Sequence, residues 1–223
     1  MSLVKCDSRV FTVHDLDRLE DLSGRFAVRL LFVTGFLGSG KTSLIIPLAK
    51  RLVQFKRRVA ILVNEIGEIG IDNQLMHQLD LDVWELFNGC ICCTLTADLV
   101  STLQKLDADY APDLVIVEPS GAADPKNLLS ALPYYRGRPL ASIRWVVVLD
   151  PLRLPMLLEV LEPLITAGIR QADCIVISKT DIASEAEVAA AVAAARAINA
   201  PAPLFCVNLS AELSPELAGE LLR

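Results

Sequence analysis

No uninterrupted apolar run in this chain approaches the roughly 20 residues that a membrane-spanning helix needs. The longest candidate, Trp145 to Leu149, has the length of a strand and ends in Asp150-Pro151. The opening residues, Met1 to Asp7, lack the apolar core of a secretory signal. Basic residues are short as well: 21 Lys and Arg against 27 Asp and Glu leave a formal net charge of −6. That deficit argues against a general nucleic-acid binder, which carries a basic face. A small basic site for a phosphate-bearing ligand stays open. Histidine is scarce, and both copies, His14 and His77, read as surface or core residues. Six cysteines are present, but Cys90, Cys92 and Cys93 crowd together while Cys6, Cys174 and Cys206 are scattered. That is no secreted disulfide framework, and a reducing cytoplasm fits it best.

What remains is a chain of 223 residues with a hydrophobic fraction of 53%. It suits one large domain that buries its core without metal or disulfide staples. Short β-rich runs alternate with helical patterns. Strands are expected at residues 29–34, 58–64, 82–87, 113–118, 143–150, 174–178 and 204–208. Continuous apolar runs such as Val146-Val147-Val148-Leu149 suit strands buried on both faces of a parallel sheet. Helices are expected at residues 41–54, 95–106, 155–169 and 185–198. Ser184 and Glu187 form a capping-box pattern at the start of the last one. Pro47 should remove one hydrogen bond from the first helix and kink it. The expected fold is α/β, a P-loop NTPase with a mostly parallel, doubly wound sheet of about seven strands flanked by helices. Residues 1–28 read as an N-terminal extension, with a short strand at 10–13 and a helix at 14–22. Residues 29–223 read as the nucleotide-binding domain.

Five motifs carry chemistry. Gly35-Phe36-Leu37-Gly38-Ser39-Gly40-Lys41-Thr42 matches GxxxxGK[ST] between an expected strand and an expected helix. Its glycines let backbone N–H groups wrap phosphates, and the helix N-terminus adds a positive dipole end. Lys41 can reach the β- and γ-phosphates, and the Thr42 hydroxyl can bind Mg²⁺. Val115-Ile116-Val117-Glu118-Pro119-Ser120-Gly121 is an apolar strand ending in an acid. Glu118 there can orient Mg²⁺, and Gly121 can donate its N–H to the γ-phosphate. In Ser178-Lys179-Thr180-Asp181, the aspartate can accept from guanine N1–H and the exocyclic amine, a donor pair adenine lacks. Lys179 can lay its stem over the base.

Asn88-Gly89-Cys90-Ile91-Cys92-Cys93 places three thiols within four residues. Thiolates are soft ligands suited to Zn²⁺ and acceptable to cobalt, nickel or Cu(I). A fourth ligand can come from Glu65, His77, water or another subunit. Structural core cysteines and a redox pair are the alternatives. Asn64-Glu65-Ile66-Gly67-Glu68-Ile69-Gly70-Ile71-Asp72 follows a strand end, a place for a loop that closes on phosphate or metal, or for a solvated acidic loop.

In this order, GFLGSGKT, NEIGEIGID, NGCICC, EPSGAADP and SKTD resemble the CobW-like family of P-loop GTPases, relatives of the GTPases that deliver nickel in urease and hydrogenase maturation. The likeness covers roughly Arg29 to Asp181, and the CxCC element is its distinctive mark. It implies GTP hydrolysis coupled to binding or transfer of zinc, cobalt or nickel to a target protein, with nucleotide-dependent dimerisation. It implies catalytic roles for Lys41, Glu118 and Asp72. GTP would be held by Gly35, Gly38, Ser39, Gly40, Lys41, Thr42, Ser43, Gly121, Ser178, Lys179 and Asp181. Thr42 and Glu118 would hold Mg²⁺, Glu65 and Asp72 belong to the first switch, and Cys90, Cys92, Cys93 and Glu65 would hold the transition metal. The family usually has asparagine where this chain has Ser178, which weakens one expected contact to the base or the phosphate loop. Many relatives also continue into a second domain and a histidine-rich segment. Two other readings compete: a nucleotide-gated metal-binding or sensing module, and a P-loop small-molecule kinase, which would need neither SKTD nor CxCC.

Overall fold

The computed structural model describes residues 27–63, 82–85, 95–119, 125–210 and 212–223. Seven strands run β1 (Val28–Thr34), β2 (Val59–Val63), β3 (Asp82–Glu85), β4 (Leu114–Glu118), β5 (Leu140–Leu149), β6 (Cys174–Ile177) and β7 (Leu204–Cys206). They form one sheet in the order β3-β2-β4-β1-β5-β6-β7, and every pairing in it is parallel. Helices α1 (Lys41–Gln54), α2 (Leu95–Asp109), α3 (Pro125–Ala131), α4 (Leu154–Val160), α5 (Glu162–Gln171), α6 (Glu185–Ile198) and α7 (Pro215–Leu221) connect and flank it. The expected α/β fold is the fold found.

Alternation along the strands decides which helices cover which face. On β1, Leu30 and Phe32 pack with α2, α4, α5 and α6, while Leu31 and Val33 pack with α1 and α7. Phe32 stacks on Trp145 of β5 at a ring-centre distance of 4.7 Å, and both rings are fully buried. Burying such a side chain contributes about 1.5–3 kcal/mol, so the β1–β5 border is the firm centre of the sheet. Chain direction matters for function here. β1 leads to β2 on one side, and β5 leads to β6 on the other. A crevice therefore opens above the carboxyl ends of β1 and β5, where ligands of open α/β sheets bind.

The helix expected at residues 155–169 is two helices meeting at Leu161. Pro163 causes the break: it has no N–H to continue a ladder, yet it is tolerated in the first turn of a new helix. α1, by contrast, runs unbroken through Pro47. α3 and α7, at seven residues each, escaped the pattern reading. The capping box holds: Glu187 N–H donates to Ser184 Oγ at 3.3 Å and Ser184 N–H to Glu187 Oε2 at 2.8 Å. Hydrogen bonds from Ser184 keep the Glu187 carboxyl below its usual range. The expected strand at 10–13 and helix at 14–22 lie outside the described residues.

α7 is clamped to the sheet by two arginines. Arg29 of β1 donates to the Leu222 carbonyl at 2.9 Å, and Arg144 of β5 pairs with Glu220 at 2.8 Å. Beneath them lies Cys174, whose thiol is pushed up to about 12 by burial first and by the Glu220 carboxylate second. An unfolded thiol ionises near pH 8.5. The folded state therefore keeps a proton that the unfolded chain releases, and stability falls as pH rises from about 9 towards 12. Tyr135, also raised to about 12 by burial and by Asp107, acts with the same sign above pH 10. In urea melts at pH 7.5 and 10, Cys174→Ala should lose less stability between the two than the parent protein does. An equal loss would count against Cys174 as a source of that slope.

Candidate functional site

The phosphate loop joins β1 to α1 and takes its shape from three glycines with positive φ, at 142° (Gly35), 74° (Gly38) and 98° (Gly40). Gly40 is the cap residue of α1, and no side chain caps the helix there. No acid stands in the first turn either. The unpaired first-turn N–H groups are thus left to an anion. At Gly35 a Cβ would overlap the Val148 carbonyl and approach Ser39 Oγ to 2.7 Å. Ser39 itself is buried, and its hydroxyl has no hydrogen-bond partner among the described residues.

Three expected site residues meet. Lys41 is buried at the start of α1, and its Nζ lies 3.7 Å from Glu118 Oε1 and 3.5 Å from the Phe36 carbonyl. Thr42 Oγ1 donates to Glu118 Oε2 at 3.4 Å. Glu118 ends β4, which pairs with β1, so the sheet itself carries the acid to the phosphate loop. A hydroxyl and a carboxylate oxygen make a hard donor pair that fits Mg²⁺.

Ser178, Lys179 and Asp181 follow β6. Ser178 is buried and its hydroxyl lies 2.6 Å from the Ser39 carbonyl and 3.1 Å from the Leu149 carbonyl. One proton serves both, so the shorter contact dominates. The tie to the phosphate loop that the loss of asparagine was expected to weaken is thus made by a hydroxyl. Lys179 has φ 54°, left-handed for a residue with a Cβ, and its Nζ pairs with Asp150 Oδ2 at 2.6 Å. Asp181 is exposed at the tip of the same loop. Ser43 lies in the first turn of α1. The other expected residues, Glu65, Asp72, Cys90, Cys92, Cys93 and Gly121, lie outside the described residues. Among the described residues no cluster of three His, Cys, Asp or Glu side chains could hold a metal.

Two residues at the site were not anticipated. Asp150, just past β5, is 4% exposed, accepts from Lys179 and from the Leu152 N–H at 3.0 Å, and faces the Arg153 guanidinium at 3.9 Å. Arg153 Nη1 donates to the Leu37 carbonyl of the phosphate loop at 3.1 Å. The signal was present: Leu149-Asp150-Pro151 repeats the apolar-strand, acid, proline pattern of Val117-Glu118-Pro119. A cleft that Asp150 and Arg153 help to line is also lined by Thr34, Gly35, Ser39, Leu157, Ile165 and Gly168.

Comparison with known proteins agrees with this geometry. The model of the family described as CobW/HypB/UreG, nucleotide-binding domain, matches residues 29–205. A zinc chaperone CobW from a Sinorhizobium species is 38% identical over 108 residues, 44% of this chain and 29% of that protein. The zinc chaperone YjiA of Escherichia coli is 28% identical over 193 residues, 81% of this chain and 58% of that protein. The chain thus spans between about a third and three fifths of the length of these curated relatives. Among solved structures, the hydrogenase maturation factor HypB of Archaeoglobus fulgidus superposes with a TM-score of 0.63 at 18% identity, covering 94% of both chains. A Zn(II)-bound triple mutant of the YjiA GTPase gives 0.62 at 22% identity, covering 88% of this chain and 63% of that one. With a strand-loop-helix phosphate cradle, an acid delivered from the neighbouring strand and a family match across most of its length, the chain belongs to the CobW/HypB/UreG family of nucleotide-binding domains.

Proposed function

We propose that this chain binds and hydrolyses GTP and couples its nucleotide state to capture and release of a transition metal, zinc, cobalt or nickel, for a target protein. The observation that carries the reading is the convergence of Lys41 and Thr42 on Glu118 beneath an uncapped helix N-terminus. The first-turn N–H groups and Lys41 hold the phosphates and neutralise charge that develops on the γ-phosphoryl group. Bound at Thr42 and Glu118, Mg²⁺ would neutralise further phosphate charge. Asp181 reads the guanine edge. Gly121, Glu65 and Asp72 respond to the γ-phosphate, and Cys90, Cys92 and Cys93 bind the metal as cargo. Residues 29–223 form the GTPase domain and residues 1–28 an extension to it. No water-positioning residue stands out among the described residues, so turnover without metal or partner is slow.

Relatives support the metal half of the reading by what they are called. Besides the zinc chaperones, a zinc-regulated GTPase metalloprotein activator of Schizosaccharomyces pombe is 31% identical over 168 residues. A HypB structure from Helicobacter pylori is a complex with nickel. Pairing with a second copy in the GTP state belongs to the same reading. Exposed apolar side chains support it: Leu37 on the phosphate loop, Leu152 just past β5, and Met156 and Val160 on α4. No described helix is long and apolar enough to cross a membrane, and the cytoplasm is the proposed location.

The test is hydrolysis of GTP and ATP with and without Zn²⁺, Co²⁺ and Ni²⁺. GTP should be bound and turned over in clear preference to ATP, with turnover responding to metal. Equal affinity for the two nucleotides would refute the guanine assignment. Asp181→Asn should reduce GTP affinity by about 5- to 150-fold, the 1–3 kcal/mol of an unsatisfied polar group. The variant should accept xanthosine nucleotides instead.

A further inference from the structure

We infer that Asp150 is a positioning residue for base recognition, holding the base-reading loop and the phosphate loop in one register through Lys179 and Arg153. This rests on the guanine-nucleotide reading above. β5 lies between β1, which leads into the phosphate loop, and β6, which leads into the base-reading loop. A residue at the carboxyl end of β5 therefore stands where the two halves of a nucleotide site adjoin.

The chemistry of Asp150 suits a junction. A carboxylate this buried is stable only when paired and hydrogen-bonded, and all its partners come from the site. Oδ1 accepts the Leu152 N–H at 3.0 Å, which fixes the plane of the group. Oδ2 takes the Lys179 ammonium at 2.6 Å and faces Arg153 Nε at 3.9 Å. The other end of Arg153 reaches the Leu37 carbonyl at 3.1 Å and lies under Gly38, where a Cβ would be 3.3 Å from Nη1. One acid thus ties a base-loop cation and a phosphate-loop strap together.

The backbone of Lys179 is strained at the residue that makes the tie. Its left-handed φ of 54° is a conformation that residues with a Cβ adopt at a cost. The turn it starts, with the Ile182 and Ala183 N–H groups both donating to the Lys179 carbonyl at 3.2 and 3.1 Å, sets where Asp181 sits. With its Nζ anchored on Asp150, the Lys179 stem is also fixed where it can cover the base. Without the carboxylate, Lys179 loses its anchor and Arg153 its counter-charge. The base-reading turn then relaxes, and guanine, which depends on Asp181, loses more than the phosphates do.

The experiment compares GTP and ATP affinities, by titration of fluorescent analogues, for the parent protein, Asp150→Asn, Lys179→Met and the double variant, with thermal melting as the check on folding. Asp150→Asn should weaken GTP by about tenfold or more and ATP by less than about twofold, so the GTP-to-ATP ratio falls. The double variant should be no worse than the worse single variant. A folded Asp150→Asn with an unchanged ratio, equal losses for both nucleotides, or additive single effects would each overturn the assignment. If Asp150→Asn does not fold, Arg153→Ala, at a half-exposed side chain, reads the same ratio. Its fall supports the strap and its constancy overturns it. A parent protein indifferent to the base would refute the guanine reading itself, whereas a GTP-selective parent with an indifferent Asp150→Asn refutes this inference alone.

Discussion

Lys41→Ala should abolish tight nucleotide binding while leaving the protein folded. Lys41 is the charged side chain that the phosphate loop itself carries into the proposed site. It leaves the first position of α1, 8% exposed, and its ammonium lies between the Phe36 carbonyl and the Glu118 carboxylate. A hydrogen bond to a charged group contributes about 1.5–3 kcal/mol, and in the proposed site the lysine would make more than one such contact to adjoining phosphates. Their loss corresponds to an affinity drop of roughly 100-fold or more. Truncation also removes a cation from 3.7 Å of the Glu118 carboxylate, so less positive charge faces an anionic ligand there. Titration of a fluorescent GDP or GTP analogue measures the effect, and a melting curve confirms the fold. A folded variant within about threefold of the parent affinity would remove Lys41 from the phosphate site.

The second large effect is on the scaffold. Gly35→Ala should cost about 3 kcal/mol or more of stability, about 6–12 °C in melting temperature for a chain of this size. Two costs coincide there. The backbone sits at φ 142°, a region side chains rarely tolerate, and the new Cβ would overlap the Val148 carbonyl. That carbonyl belongs to β5, the strand paired to β1, so the overlap can be relieved only by parting the two central strands or reshaping the loop. Gly38→Ala is the matched control. Its φ of 74° is also strained, but the nearest atom is the tip of Arg153, which can move. The cost there should be near 1 kcal/mol. Equal melting temperatures for the two variants would show that the close approach at Gly35 does not matter.

Where a signal is local, the sequence carried it. The apolar runs in β4, β5 and β6 announce strands buried on both faces, and each lies inside a parallel sheet. The phosphate-loop helix starts and stops at Lys41 and Gln54 as its periodicity says. Short helices were hidden because seven residues show barely two turns of periodicity, as in Pro125–Ala131 and Pro215–Leu221. The break at Leu161 hung on one proline within an otherwise helical stretch. In the sequence Asp150 is only the end of an apolar run. Its meaning depends on Lys179, 29 residues later, and on the sheet order that makes them neighbours. No periodicity encodes such a pairing. Of the candidate site, the phosphate loop, Glu118 and the base-reading loop are described, and the switch and cysteine motifs are not.

On the proposed function, nucleotide and metal affect each other's binding. The cysteine loop lies in sequence between the first switch, Glu65 to Asp72, and Glu118. On the proposed reading, a γ-phosphate that reshapes those segments would move the sulfurs, and linkage would then make each ligand change the other's affinity by one common factor. The decisive measurement is competition of Zn²⁺ and Co²⁺ against a chromophoric chelator, with and without a non-hydrolysable GTP analogue. Expected are one tight site, a thiolate-to-cobalt charge-transfer band, affinity that falls as pH drops, and a nucleotide-dependent shift of about 5- to 150-fold, matched when metal is held and nucleotide titrated. Metal affinity that ignores the nucleotide, or a Cys92→Ala/Cys93→Ala variant that binds metal as the parent does, would contradict it.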